Sequence, residues 1–206
     1  MAIQRLYKYL SIETPDHWTY RRQLLTERRL YFSHPSTFND PLDCNLSTAE
    51  PYKRMLREVR VFCMSGEKRD DFLMFAHYGD SHRGFRLTFE IDTDDKTLNE
   101  IGVLGRGKYV TYSQYLPSFD ENDIHKSLLT KAASWSYEAE YRIFSVNHET
   151  MHYDKAALVE IAFGYRFNPD FEPVIRNWIT CGEHEKTIFL RAIPSTDLIG
   201  FVYVKV

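Results

Sequence analysis

The chain has 206 residues, 43% hydrophobic and 27% charged, which suits one sizeable hydrophobic core and is short for two. A net charge of −3 excludes the strongly basic composition of a general nucleic-acid binder, leaving only local patches for such contacts. Cys44, Cys63 and Cys181 lack C-x-x-C spacing, which excludes a disulfide framework and a zinc knuckle.

A reducing cytoplasm is the compartment these features predict, with no membrane partner: the N-terminus lacks an apolar signal core and no run reaches transmembrane length. The first predicted strand is Leu6–Leu10, with Lys8 facing opposite to Tyr7 and Tyr9. Thr14 reads as an N-cap and Pro15 as the first turn of a helix carrying Trp18, Arg21, Arg22, Leu24 and Leu25. A strand at Leu30–Ser33 runs into a turn-rich loop at His34–Pro41, because each proline biases its predecessor away from helix. Residues 51–57 read as helix, 59–64 as strand and 66–71 as a polar turn. Phe72–Tyr78 reads as a short helix ended by Gly79. Phe85–Ile91 alternates as a strand, followed by a turn over 92–95.

Lys108–Tyr112 reads as a strand, and Asn122–Ala133 as an amphipathic helix carrying Lys126 and Lys131. A Glu-rich strand follows at Trp135–Phe144. Later strands are expected at 156–164, 189–193 and 200–204, with a helix from Pro169 to Asn177 that Trp178 and Ile179 extend. Strands interspersed with short helices, outside strict βαβ alternation, predict a single α+β domain over 1–206. Its sheet is expected to be mostly antiparallel and bent, or to form two facing sheets.

The Glu-rich segment carries the chemistry. In a strand, Glu138, Glu140 and Arg142 project to one face and Tyr137, Ala139, Tyr141 and Ile143 to the other. Two acids and an arginine framed by aromatics make a polar pocket better than a core. The plain alternative is a surface edge where Glu140 pairs with Arg142 to little effect. Lys8 on an early strand needs a partner, and Asp40 or one of the two glutamates is expected to supply it. Tyr9 serves as a stacking face or as a core aromatic. Asn39 and Asp40 cap their own loop or wall the pocket, and His77 and Tyr78 line that pocket or pack around the Gly84 turn. His77, Asp80 and His82 with Asp40 or Asp43 would make a metal-dependent hydrolase or nuclease, although no spacing specific to a metal is present and no metal ligand is assigned.

Four motifs occur in order: Leu6-Tyr7-Lys8-Tyr9, Phe38-Asn39-Asp40-Pro41-Leu42-Asp43, His77-Tyr78-x-x-x-His82-x-Gly84 and Trp135-x-Tyr137-Glu138-x-Glu140-Tyr141-Arg142. In these the chain resembles a widespread bacterial and phage family catalogued as domain of unknown function 2971. More distantly it resembles ADP-ribosyltransferases, many of which carry their catalytic glutamate as the second acid of Glu-x-Glu. Lys8 stands nearest to that group's first-motif His or Arg, and the middle Ser-Thr-Ser signature is absent. This second resemblance implies an ADP-ribosyltransferase-like fold and NAD as the bound nucleotide. Glu140 would stabilise the ribosyl cation, Glu138 would position the acceptor, and Lys8, Tyr9, Asn39, Asp40, His77, Tyr78 and Arg142 would contact NAD. The acceptor would be a protein, a nucleic acid or a small molecule, in a toxin or in phage–host conflict. A non-catalytic module binding a nucleotide or a partner's segment is the reading from a different class.

Overall fold

A computed structural model describes residues 3–12, 14–44, 50–66, 71–92, 101–117 and 124–206. Its strands are β1 (Ile3–Leu10), β2 (Arg29–Tyr31), β3 (Val59–Ser65), β4 (Phe85–Asp92), β5 (Lys108–Tyr109), β6 (Thr111–Ser113), β7 (Thr130–Ala132), β8 (Glu140–Val146), β9 (Thr150–His152), β10 (Leu158–Phe163), β11 (Ile188–Pro194) and β12 (Phe201–Lys205). Its α-helices are α1 (Pro15–Thr26), α2 (Glu50–Glu58), α3 (Asp71–Tyr78), α4 (Ile124–Leu128) and α5 (Glu172–Cys181). Parts of three expected elements, at 67–70, 93–95 and 122–123, lie outside the described residues.

Among the described residues, eight strands form one sheet in the order β12-β11-β10-β4-β1-β3-β8-β5. Only β10 and β11 run parallel within it; its other neighbours are antiparallel. Two small ribbons, β2-β9 and β6-β7, complete the strands. The expected mixed fold with a large, mostly antiparallel sheet and short helices is what forms.

Alternation in β1 sets the two layers. Leu6 and Leu10 join the main core, with Phe85, Leu87 and Phe89 of β4 and Leu24, Leu25, Ile175 and Trp178 of α1 and α5. Thr14 caps α1 by accepting from the His17 amide at 3.3 Å, and the Trp18 and Trp178 rings meet edge-to-face at 5.2 Å where α1 and α5 pack. Tyr7 and Tyr9 face the other layer, against Met74 and Phe75 of α3. A buried Arg86 of β4 fastens α3 there, binding Asp71 at 2.6 Å and Glu160 at 2.5 Å, while the Tyr9 hydroxyl donates to Asp71.

The sheet has one weak seam. β1 pairs with β4 along its whole length but with β3 only at Tyr7↔Ser65. Beyond that pair the two strands part, leaving backbone groups to be satisfied otherwise. The seam lies between the β1 and β8 segments singled out in the sequence.

Between α3 and β4 the chain turns through three successive left-handed residues, Asp80, Ser81 and His82, with φ of 51°, 50° and 72°. Gly84 ends this turn, its amide donating to the Gly79 carbonyl at 2.7 Å. A Cβ at Gly84 would stand 2.0 Å from the Leu10 carbonyl oxygen, so only glycine lets β4 approach β1 here. Gly84→Ala is expected to cost about 1–3 kcal/mol, read as a lowered urea midpoint at unchanged m-value. An unchanged midpoint would show that the close approach is not needed.

Three sequence expectations are corrected. Lys108–Tyr112 is split at Val110 into β5 and β6, which join different sheets. The helix expected through Ala133 ends at Leu128, and Thr130–Ala132 is the short strand β7 instead. The Glu-rich strand begins only at Glu140, because Ala133–Glu138 is a 3-10 helix.

Candidate functional site

Ala139 connects the two glutamates in a left-handed conformation, φ 42° and ψ 50°. For a residue with a Cβ that conformation costs about 1–2 kcal/mol, which the surroundings must offset. It lets Glu138, the last residue of the 3-10 helix, and Glu140, the first of β8, converge on Lys131 of β7. Lys131 Nζ donates to Glu138 at 2.5 Å and to Glu140 at 3.1 Å. The two acids therefore meet through a turn and not by strand alternation.

Arg142 completes the cluster. Its side chain is 0% exposed; Nε and Nη2 each donate to Glu140 at 2.9 Å, and Nη2 reaches Asp43 at 2.6 Å. Nη1 donates to the Leu128 carbonyl at 2.7 Å and contacts Cys44 Sγ at 3.3 Å. Asp43 also lies 3.4 Å from Lys131. Three carboxylates, Asp43, Glu138 and Glu140, thus share two cations, Lys131 and Arg142. With every group charged the cluster carries one negative charge in excess.

The environment separates the two glutamates. Burial alone would raise the Glu140 pKa, but Arg142, with Lys131 and the Cys63 thiol, holds it down at about 2. Burial wins at Glu138, whose pKa is raised despite Lys131 and a hydrogen bond from Tyr78. Burial also works against the Lys131 ammonium, yet Glu140 and Glu138 raise its pKa. The two acids thus shift in opposite directions, the pattern that divides a permanent anion from a proton carrier.

A cavity of about 370 Å³ opens beside this cluster at the β1–β3 seam, lined by Asp43, Lys131, Glu138 and Glu140 on one side and by Tyr7, Lys8 and Tyr9 on the other. By alternation Lys8 belongs to the α1 face and Glu140 to the opposite one. The parted strands let both line the same space. Lys8 Nζ donates to the Cys63 carbonyl of β3 at 2.7 Å and sits 4.8 Å from the centre of the Phe62 ring. The expected partner, Asp40 or a glutamate, is therefore replaced by a main-chain oxygen exposed at the seam. Burial lowers the Lys8 pKa, and Arg21 adds to that, against the pull of Glu140 and Glu138.

Asn39, His77 and Tyr78 also line the cavity. Asn39 donates to the Tyr78 hydroxyl at 3.3 Å, and that hydroxyl donates to Glu138. His77 packs near Trp135 and Tyr137. Asp40 is not among the lining residues; its carboxylate accepts from the Leu42 amide at 2.9 Å, the capping alternative for that loop. Arg142 lies behind Glu140 and is likewise absent from the lining. His82 is wedged against Phe72, Phe75 and Phe201. Among the described residues no group of three His, Cys, Asp or Glu side chains is placed to hold a metal ion.

A second cavity of about 520 Å³ continues from the first on the α1 side, sharing Lys8, Tyr9, Tyr31, Ser33, Phe62, His77 and Tyr78 with it. Lys131 is the site residue that sequence reasoning placed wrongly, as a helix-face lysine. The signal that could have found it is charge balance: two acids and Asp43 packed around one arginine need a second cation.

Residues 74–143 match the family model described as a protein of unknown function (DUF2971). The matched stretch runs from α3 into β8 and holds the His77–Gly84 and Trp135–Arg142 motifs, which supports the expected kinship with that family. No curated protein and no solved structure matches the chain. Among the described residues no helix is long and apolar enough to cross a membrane.

Proposed function

We propose that this chain is an ADP-ribosyltransferase-like enzyme that takes NAD as substrate in the cleft at the β1–β3 seam. One observation carries the reading: Lys8 and Tyr9 of β1 line the same cavity as Glu138 and Glu140, between aromatic walls suited to a nucleoside. The C1′–N bond of the nicotinamide riboside breaks, and its electron pair leaves with nicotinamide. Positive charge then builds on the ribose ring. The excess negative charge of the Asp43–Glu138–Glu140 cluster stabilises it, with Glu140 ionised throughout. The acceptor's oxygen or nitrogen bonds to C1′, and its proton passes to Glu138, the acid whose raised pKa suits it to carry one.

A second reading, a non-catalytic nucleotide-binding module, is favoured by the ion pairing of Glu140. Both of its oxygens are held by Arg142, and one also by Lys131, which blunts its own charge. Incubation with NAD separates the two. The enzyme releases free nicotinamide, measured chromatographically, in step with an ADP-ribosylated acceptor or with hydrolysis. A thermal shift with NAD but no nicotinamide over hours assigns the chain to the binding module.

A further inference from the structure

The α1-side chamber is lined by Lys8, Arg21 and Arg29 against one lining carboxylate, Asp80. Arg21 of α1 uses Nε to donate to the Ser11 carbonyl at 3.1 Å. Among the described residues no carboxylate lies within ion-pair distance of it. Arg86 and Arg142, the two fully buried arginines, each hold two carboxylates. Arg29 pairs with Glu27 at 2.8 Å through Nη2, but its Nε is buried with no hydrogen-bond partner among the described residues. Lys8 and His17 face the same space. The chamber's carboxylate, Asp80, has Arg83 3.6 Å away. Burial pushes the Arg21 pKa down to about 10, and Arg21 in turn depresses Lys8. Two half-buried cations that line one cavity and repel one another are stabilised together by an anion placed between them.

We propose that this chamber is an anion subsite that takes the diphosphate of a small nucleotide, held by Arg21, Arg29 and Lys8. Arg21 and Arg29 present planar guanidinium forks suited to phosphate oxygens, and Lys8 adds a point charge at the junction of the two cavities. Tyr20 and Tyr31, whose rings lie 5.0 Å apart, stand beside the arginines. The junction fixes direction: the sugar and base nearest the glutamates occupy the first cavity, and the phosphates lie on the α1 side. The choice of a nucleotide rests on the function proposed above; the anion subsite does not. A nucleoside without phosphates would fill only the first cavity.

Titration calorimetry of the full chain with inorganic pyrophosphate, ADP and adenosine tests this. Pyrophosphate and ADP are expected to bind, and adenosine to bind at least tenfold more weakly than ADP. Arg21→Gln and, separately, Arg29→Gln are expected to weaken pyrophosphate by about 10–100-fold, the range for a lost hydrogen bond to a charged group, while leaving adenosine unchanged. Arg21→Lys should recover part of the loss. Circular dichroism confirms folding, and Arg29→Gln carries the test if Arg21→Gln does not fold. Equal pyrophosphate affinity in wild type and variants overturns the subsite, as does tighter binding of a short single-stranded oligonucleotide than of ADP. Pyrophosphate binding without nicotinamide release would sink the transferase and leave the subsite standing. Nicotinamide release without pyrophosphate binding would do the reverse.

Discussion

Arg142→Met is expected to destabilise the fold by about 3–5 kcal/mol, the range for leaving a buried charge without its partner. The side chain is 0% exposed, and its donors are committed to Glu140, Asp43, the Leu128 carbonyl and Cys44. Methionine fills much of the space and supplies none of these bonds. Lys131 then stands as the cluster's one cation against Asp43, Glu138 and Glu140. Two outcomes compete for the surplus charge: the acids stay ionised at high cost, or they take up protons. Glu140 then no longer sits near pKa 2, and a carbon-13 titration of its carboxyl should move up. Urea denaturation at pH 7 measures the loss. A change under 1 kcal/mol would mean the cluster is solvated and does not hold β7, β8 and the Asp43 loop together.

The sign of the acid response follows from the same group. Glu140 is held at about 2 in the folded chain, against about 4.3 for a free glutamate. Its stabilising contribution is therefore complete above the unfolded value and is lost as pH falls from about 4.5 towards 2. Glu138 acts oppositely. Its raised pKa makes its contribution full below the unfolded value and lost as pH rises through the folded one. Wild-type stability should thus drop steeply in acid with Glu140, while Glu138 softens the drop.

Local pattern explains what the sequence made legible. β4 alternates strictly because Phe85, Leu87, Phe89 and Ile91 enter the main core while the opposite face carries Arg86, Thr88 and Glu90, so period two was visible. The N-cap of α1 was readable because Thr14 and Pro15 act within one turn of chain. The glutamates were legible as residues and not as geometry. A left-handed Ala139 carries no marker in sequence, since glycine or asparagine would normally announce that conformation. Lys131 was misplaced because three residues of edge strand have too little period to outweigh a helical neighbour. The seam between β1 and β3 had no local signal at all. It depends on which strand each one pairs with, and that is decided by contacts more than fifty residues apart.

Glu138→Gln is expected to lower nicotinamide release by about 10²–10⁴-fold, the usual span for a lost general base. The substitution keeps the shape: its carbonyl oxygen still accepts from Lys131 and its amide nitrogen donates to the Tyr78 hydroxyl in place of accepting from it, but it cannot take the acceptor's proton. It also brings the cluster to charge balance, with Asp43 and Glu140 against Lys131 and Arg142. Stability should therefore change by less than about 1 kcal/mol, in contrast to Arg142→Met. Only ionised Glu138 can accept a proton, so the wild-type rate should rise with pH through its raised pKa and then level off. In Glu138→Gln that limb should vanish, leaving a low and flat profile. NAD affinity should hold within a few-fold, because Lys8, Tyr9 and Arg21 remain. If the variant keeps both its rate and its pH limb, the proton goes elsewhere, and Glu138 serves only to orient Lys131.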